Sequence, residues 1–219
     1  MKRTVGWIVV AAVAVAMLDG CVVPLIGAAA VGGGTVVATD RRSVGIQLED
    51  DRIESRVNHA LIDIIPKTAM NIDATSYNRK VLLAGEVKTA EMKAQAEAAA
   101  AKVENVRQVV NELTVGDRAT LGDRTDDTLI AGKVKTALLG TDGLPAGVVK
   151  TTVNRGVVYL LGKVTAAEGE AAAKAASRVS GVRRVVKLFD LMTDQEVEAL
   201  KKGEQAAPSG NKNQPAPGK

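Results

Sequence analysis

The chain is predicted to be an α+β protein made of two tandem αββαβ units, each with two helices packed on a three-stranded sheet. Three observations lead there. Shifting the sequence by 77 positions lays Ile53 on Ile130, Val57 on Val134, Ala60-Leu61 on Ala137-Leu138, Gly85 on Gly162 and Glu91 on Glu168, and skipping one residue near Ala100 carries Val106, Val109 and Val110 onto Val182, Val185 and Val186. A register that holds over so many positions marks an internal repeat, so one small module sets the architecture. Within each copy the apolar spacing changes from a helical period to alternation, and turn-forming residues separate the alternating runs.

The elements follow in order. Ile53, Val57, Ala60, Leu61 and Ile64 fall on one face of a 3.6-residue period, and Ile130, Val134, Ala137 and Leu138 repeat that face. Asn71 to Ser76 and Val148 to Val153 alternate as short strands. Asn78-Arg79 and Asn154-Arg155-Gly156 are hairpin turn residues leading into Val81 to Val87 and Val158 to Val164. The Ala-rich stretches Glu91 to Val103 and Ala166 to Val179 predict helices whose small side chains can approach a sheet closely, and Val106 to Val115 and Val182 to Leu191 supply closing strands. Each copy has roughly 65 residues, near the lower limit for a self-sufficient core, so docking of one copy on the other is expected to add stability.

The flanks carry address and tether signals. Met1-Lys2-Arg3 is a short basic segment, and the apolar run Gly6 to Leu18 is too short to span a bilayer comfortably. The lone cysteine, Cys21, follows Gly20, and one cysteine offers no internal disulfide. Leu18-Asp19-Gly20-Cys21 resembles the lipobox of bacterial lipoproteins, which implies acylation of Cys21 after cleavage, with Val22 implying sorting to the outer membrane. Asp19 departs from the small residue usual there. The other reading is a plain signal peptide or uncleaved anchor with Cys21 a bystander.

The organisation read from composition is a signal peptide at 1–20, an acylated cysteine and flexible spacer at 21–45, a first domain at 46–115, a polar linker at 116–125, a second domain at 126–192, and a short charged helix (Asp194 to Lys202) with a Pro-containing disordered tail within 193–219. Charge divides unevenly. Residues 50–115 hold nine Lys/Arg against ten Asp/Glu, net −1, whereas residues 127–191 hold ten against five, net +5. Two copies of one fold need the same core, so this asymmetry is expected to reflect what each surface meets.

The αββαβ pattern, the glycine near the end of the central strand, and the endings Val103-Glu-Asn-Val106-Arg-Gln-Val109-Val110 and Val179-Ser-Gly-Val182-Arg-Arg-Val185-Val186 resemble the BON domain over nearly all of residues 40–191. Thr39-Asp40-Arg41-Arg42-Ser43-Val44-Gly45, Asp51-Arg52-Ile53-Glu54-Ser55-Arg56-Val57-Asn58 and Ser177-Arg178-Val179-Ser180-Gly181-Val182-Arg183-Arg184-Val185 sharpen the resemblance to outer-membrane lipoproteins with two BON domains. That resemblance implies a non-enzymatic envelope protein that binds anionic phospholipid through its second domain and supports envelope integrity, often at the division site.

The residues themselves offer little for catalysis. His59 is the only histidine and reads as a solvated surface residue, so metal sites, no metal being expected, and nucleophile–base sets lack their parts, and no cofactor is expected. Gly85 and Gly162 belong to no phosphate-loop pattern and read as structural, and the repeated acids Glu91 and Glu168 read as helix N-terminal acids favoured by the dipole. With few aromatic residues to stack on bases, the basic second copy gives no case for nucleic acid.

The informative difference lies in the first helix of each copy. Arg52, Ser55, Arg56 and His59 align with Leu129, Gly132, Lys133 and Thr136, beside the core face rather than within it. A leucine in place of an arginine, with Lys133 and Lys135 nearby, suits a helix lying in a headgroup layer, so Leu129, Lys133, Lys135 and Thr136 are the candidate lipid-contacting residues. The alternative for Leu129 is packing against the first copy or the linker. The alternative partner for the basic surface is a protein: an outer-membrane assembly, a division-site protein or a cell-wall remodelling protein.

Overall fold

A computed structural model describes residues 40–206 of the chain. The predicted signal peptide, Cys21, most of the spacer and the tail beyond Ala206 lie outside the described residues. Among these there are five helices and six strands in the order α1 (Val44–Ile64), β1 (Met70–Tyr77), β2 (Lys80–Val87), α2 (Ala90–Ala101), β3 (Gln108–Val115), α3 (Leu121–Leu139), β4 (Val149–Asn154), β5 (Val157–Val164), α4 (Ala166–Ser177), β6 (Arg184–Leu191) and α5 (Asp194–Ala206). The αββαβ unit is present twice. In each, the central strand pairs antiparallel with the strand before it and parallel with the strand after it, in the orders β1-β2-β3 and β4-β5-β6.

Two helical-side cores match the two copies. Ile53, Val57 and Leu61 of α1 pack on Val81, Leu83 and Val87 of β2 and on Ala96 and Ala100 of α2. Ile130, Val134 and Leu138 of α3 meet Val158, Leu160, Val164, Ala172 and Ala176 in the same way. The alternate residues of the central strands face elsewhere. Leu82 and Ala84 of β2, with Tyr77, pack on Tyr159 and Leu161 of β5, with Val110, Val186 and Leu188 at the margins. The sheets therefore lie back to back between outer helices, and a strand buried on both faces needs an unbroken apolar run rather than alternation. Thr75 and Thr152, which the repeat aligns, have their hydroxyls 3.1 Å apart across this seam. Such self-pairing of equivalent residues is the mark of an approximate two-fold relation between the copies.

The hairpins form as their turn residues predict, and the structure adds the reason. Asn78 and Arg79, and Arg155 and Gly156, all have positive φ, as a two-residue turn between twisted strands demands. Buried Asp50 of α1 accepts from Asn78 N and Arg79 N, both at 2.7 Å, and Asp127 of α3 repeats this with Arg155 N and Gly156 N at 2.7 and 2.8 Å. Gly85 has φ +123° and a side chain there would sit 1.9 Å from the carbonyl oxygen of Asn71; at Gly162 the corresponding approach to Val148 O is 2.6 Å. Only glycine admits those crossings of the neighbouring strand.

Several boundaries differ from expectation. Residues 121–125, read as linker, form the first turn of α3, because Thr120 and Asp123 make a reciprocal capping box that polar composition alone disguised. Residues 40–45, read as spacer, hold an ordered segment and the start of α1, capped by Ser43. Ile64, read as part of the core face, is exposed, while Ile65 is buried, because the helix ends there and the chain turns its next residue inward. Helix α5 runs through Ala206, four residues past the expected Lys202 and into the start of the expected tail.

Candidate functional site: the outer face of helix α3

The core face of α3 is set by Ile130, Val134 and Leu138, with Asp127 turned to the hairpin. Its opposite face is open. Leu129 is 57% exposed, and Lys133, Lys135 and Thr136 are exposed, so Leu129 packs on neither the first unit nor the linker. Two further leucines lie on the same side, Leu121 (82% exposed) and Leu139 (55%). Leu121 escaped the sequence reading because it fell in the presumed linker; the capping pair Thr120 and Asp123 was the signal that could have placed it. The hydroxyls of Thr125, Thr128 and Thr136 donate to the carbonyl oxygens of Leu121, Arg124 and Gly132 at 2.9, 2.8 and 3.1 Å. With those hydroxyls satisfied internally, the crest presents leucines and threonine methyls; Asp123 and exposed Asp126 stand toward its N-terminal end, and no carboxylate occurs between Asp127 and Asp142.

The two lysines do not form one stripe. Positions two apart on a helix differ by about 200°, and Lys133 and Lys135 flank the crest on opposite sides. Lys133 shares a groove with Leu129, Asp123 and Arg183. Lys135 lines a groove of about 500 Å³ beside the domain seam, together with Leu138, Leu144 and Val149. Neither lysine has an ion-pair or hydrogen-bond partner among the described residues. In the first unit the aligned surface is charged and internally matched: Arg52 lies 3.8 Å from Glu49, Arg56 lies 3.8 Å from Glu49 and 3.6 Å from Glu104, and His59 Nδ1 is 2.8 Å from Ser55 O.

Part of the charge asymmetry is consumed inside the molecule, which the sequence reading missed. Three bases of the second unit meet acids of the first: Lys150 Nζ to Glu54 (2.6 Å), Arg155 Nε to Glu86 (2.8 Å) and Arg184 to Glu112 (2.8 Å). In the other direction Lys80 Nζ and Asn78 Nδ2 donate to Asp190 at 2.9 and 2.7 Å, with Arg107 3.3 Å away. Arg41 donates both guanidinium ends to Glu168 at 2.7 Å and bonds Lys163 O at 3.0 Å, so Glu168 is a strap as well as a helix acid, unlike exposed Glu91. Arg42 bonds Asp40 and Asp50 and lies 4.0 Å over the Tyr77 ring.

The most enclosed charge at the seam is Glu86, whose side chain is 0% exposed. Burial pushes its carboxyl up, but the N–H of Ala119, the amide of Asn71 and the guanidinium of Arg155 outweigh that and hold it below the ordinary carboxylate value. Asp190 follows the same balance, burial being outweighed by Asn78, Lys80 and Arg107. Hydrogen bonding from Arg41 holds Glu168 low against its burial. Burial pushes the Tyr77 phenol up to about 12. Among the described residues no group of three or more His, Cys, Asp or Glu side chains could hold a metal ion, and no helix is long and apolar enough to cross a membrane.

A sequence model of the BON domain matches residues 49–117 and again 126–192. The chain is 39% identical over 176 residues to the outer membrane lipoprotein DolP of Haemophilus influenzae, covering 78% of this chain and 89% of that protein. It is 35% identical over 152 residues to the 21 kDa hemolysin of Actinobacillus pleuropneumoniae, with 69% and 78% covered, and 30% identical over 155 residues to the osmotically-inducible protein Y of Escherichia coli, with 69% and 77% covered.

Proposed function

The chain belongs to the BON-domain family, and on that footing we propose that it is an outer-membrane lipoprotein, anchored through an acylated Cys21 and facing the periplasm, whose second BON domain binds anionic phospholipid. The observation that carries this is the crest of α3, where Leu129 stands exposed between two lysines that have no partner among the described residues, Leu129 and Lys133 replacing the paired Arg52 and Arg56 of the first domain. The name of the Haemophilus influenzae relative supports the anchor and the membrane. The reading is of a non-catalytic protein, and its contribution to envelope integrity follows from holding a folded body against the inner leaflet of the outer membrane.

The energetics separate anchor from crest. One leucine entering the interface contributes about 1.5–3 kcal/mol and each lysine near an anionic surface about 1 kcal/mol. That sum corresponds to an affinity near the millimolar range, so the crest orients the protein and the acyl chains retain it. Flotation of the Val22 to Lys219 chain, which holds both cores, should show association with vesicles containing anionic phospholipid and none with neutral vesicles. Equal behaviour on both would reject phospholipid recognition and favour a periplasmic scaffold that uses the same surface for protein. In cells Cys21→Ser should move the protein from the membrane to the soluble fraction; retention in salt-washed outer membrane would reject the acyl anchor.

A further inference from the structure

The two sheets end on different edges. The carbonyl oxygens of Val87 and Val164 accept from Gly116 N and Met192 N, both at 2.9 Å, and a parallel ladder repeats every second residue, so the even-numbered residues of β3 and β6 bond inward. The odd-numbered ones, from Val109 to Val115 and from Val185 to Leu191, turn their N–H and C=O groups away from the sheet. In β3 that edge is blunted. Asn111 accepts from Leu113 N at 3.2 Å and donates to Lys93 O and Glu97, both at 3.0 Å. In β6 the equivalent of Asn111 is Lys187 and, with the helices aligned on their buried alanines (Ala96 and Ala100, Ala172 and Ala176), the equivalent of Glu97 is Ala173. That lysine pairs with Glu170 and leaves the strand uncapped. The outward backbone groups of Val185, Lys187, Phe189 and Leu191 have no partner among the described residues, and β6 contains no proline and no fully buried residue. The remaining edges are less open. Ser76 of β1 donates its N–H to Glu54 and accepts from Lys150, and Asp40 and Arg42 line the groove along Val149 and Thr151 of the six-residue β4. Beside β6 a second groove is lined by Glu170, Ala173, Lys174, Ser177, Arg183 and Arg184. Glu170, its carboxylate, is taken by Lys187, and Arg184 by Glu112 at 2.8 Å, whereas exposed Lys174 and Arg183 make no ion pair among the described residues.

We propose that the β6 edge binds an extended acidic segment of a partner protein, which adds to the second domain's sheet as a fourth strand. A row of free N–H and C=O groups is fully satisfied by another strand, whereas an anionic headgroup or polymer would answer the bases and leave the carbonyls unpaired. Side chains of an added strand alternate between faces, so every second one meets the groove, where Lys174 and Arg183 favour a carboxylate. The chain's own flanks do not fit this description: residues 22–39 hold no acid, and residues 207–219 hold no acid and three prolines. A second copy paired through its own β6 would set the bases of one groove beside those of the other, which like charges oppose. Lipid contact by the α3 crest is not required for this strand addition, and the two surfaces can be occupied together.

The test titrates the Val22 to Lys219 chain with an eight-residue peptide of alternating glutamate and threonine, followed by amide NMR. Saturable one-to-one binding is expected, with hydrogen exchange slowed at the amides of Lys187 and Phe189. The same peptide N-methylated throughout, and a peptide of alternating lysine and threonine, should not bind. Lys187→Pro removes an N–H that faces away from β5, so the sheet keeps its ladder while peptide binding weakens about tenfold or more. Lys187→Asn with Ala173→Gln rebuilds the cover seen on β3 and should have the same effect. Lys187→Gln loses the same charge but leaves the edge open, and should bind within about threefold of wild type. Lys174→Glu should weaken the acidic peptide and leave the fold unchanged by circular dichroism. Absence of peptide binding by the wild-type chain, equal binding of the N-methylated peptide, or indifference to both Lys187→Pro and the rebuilt cover would overturn strand addition. So would a loss confined to binding of anionic vesicles in Lys174→Glu, which would assign the basic edge to a membrane. Vesicle binding unchanged in Lys187→Pro, with peptide binding lost, would show that the edge and the α3 crest act separately.

Discussion

Single carboxylates decide much of how the two copies are joined. Glu86 is the clearest case, since its buried oxygens receive Ala119 N and Asn71 Nδ2 at 3.0 and 2.9 Å from the first domain's side and Arg155 from the second. Removing one partner of a buried, fully bonded charge costs about 3 kcal/mol or more. Glu86→Leu should therefore lower the melting temperature by about 6–12 °C for a chain of this size, and Glu86→Gln by less because it keeps an acceptor. A melting temperature unchanged in Glu86→Leu would mean the seam does not depend on this charge. None of this was legible from sequence, where Glu86 aligns with Lys163 and no local pattern marks it as buried. The turn-capping pair Asp50 and Asp127 was legible in principle, being 77 residues apart like every other repeated position, but a capping role depends on a hairpin that is distant in sequence.

At the scale of one helix, α1 and α3 show how a duplicated element diverges. Their core faces are the same, because both must cover the same sheet, whereas the crest is free to change. Leu129→Glu with Lys133→Glu should abolish binding to anionic vesicles with the fold intact, judged by an unchanged circular dichroism spectrum. Arg52→Glu with Arg56→Glu is the matched control and should bind as wild type does. Equal loss from both would move lipid contact off α3, and full binding by the α3 variant would remove it altogether. Binding should also weaken as salt rises, exposed charges being screened within about 10 Å at 0.1 M. The exposure of Leu129, Lys133, Lys135 and Thr136 beside the core face was readable from the alignment of the copies. Their division between two flanks was not, since it depends on which neighbours stand beside each side of α3.

On the scale of the whole molecule the sheet-to-sheet seam governs stability. Each copy alone would expose the face bearing Tyr77, Leu82 and Ala84 or that bearing Tyr159 and Leu161. A fragment ending at Ala119 should thus be markedly less stable than the intact pair and should bind a hydrophobic dye; a fragment as stable as the whole would show the seam to be incidental. Glu86, Glu168 and Asp190 all titrate below their ordinary values in the folded chain. Their stabilisation is complete above the unfolded carboxylate range of about 4 and is lost as pH falls through the lower folded values. Stability should be flat from neutral pH down to about 5 and drop below about 4, with the drop reduced in Glu86→Gln/Asp190→Asn. An acid profile identical in that variant would assign the loss to other groups. The sequence by itself determined the repeat, the αββαβ order, the hairpin turns and the helix on which the copies differ, because those follow from local periodicity, turn chemistry and the comparison of one copy with the other. Only the tertiary structure decided that the second faces of the sheets meet and that much of the charge is paired across that meeting. Those outcomes depend on residues 69 to 127 positions apart, whose proximity no local pattern encodes.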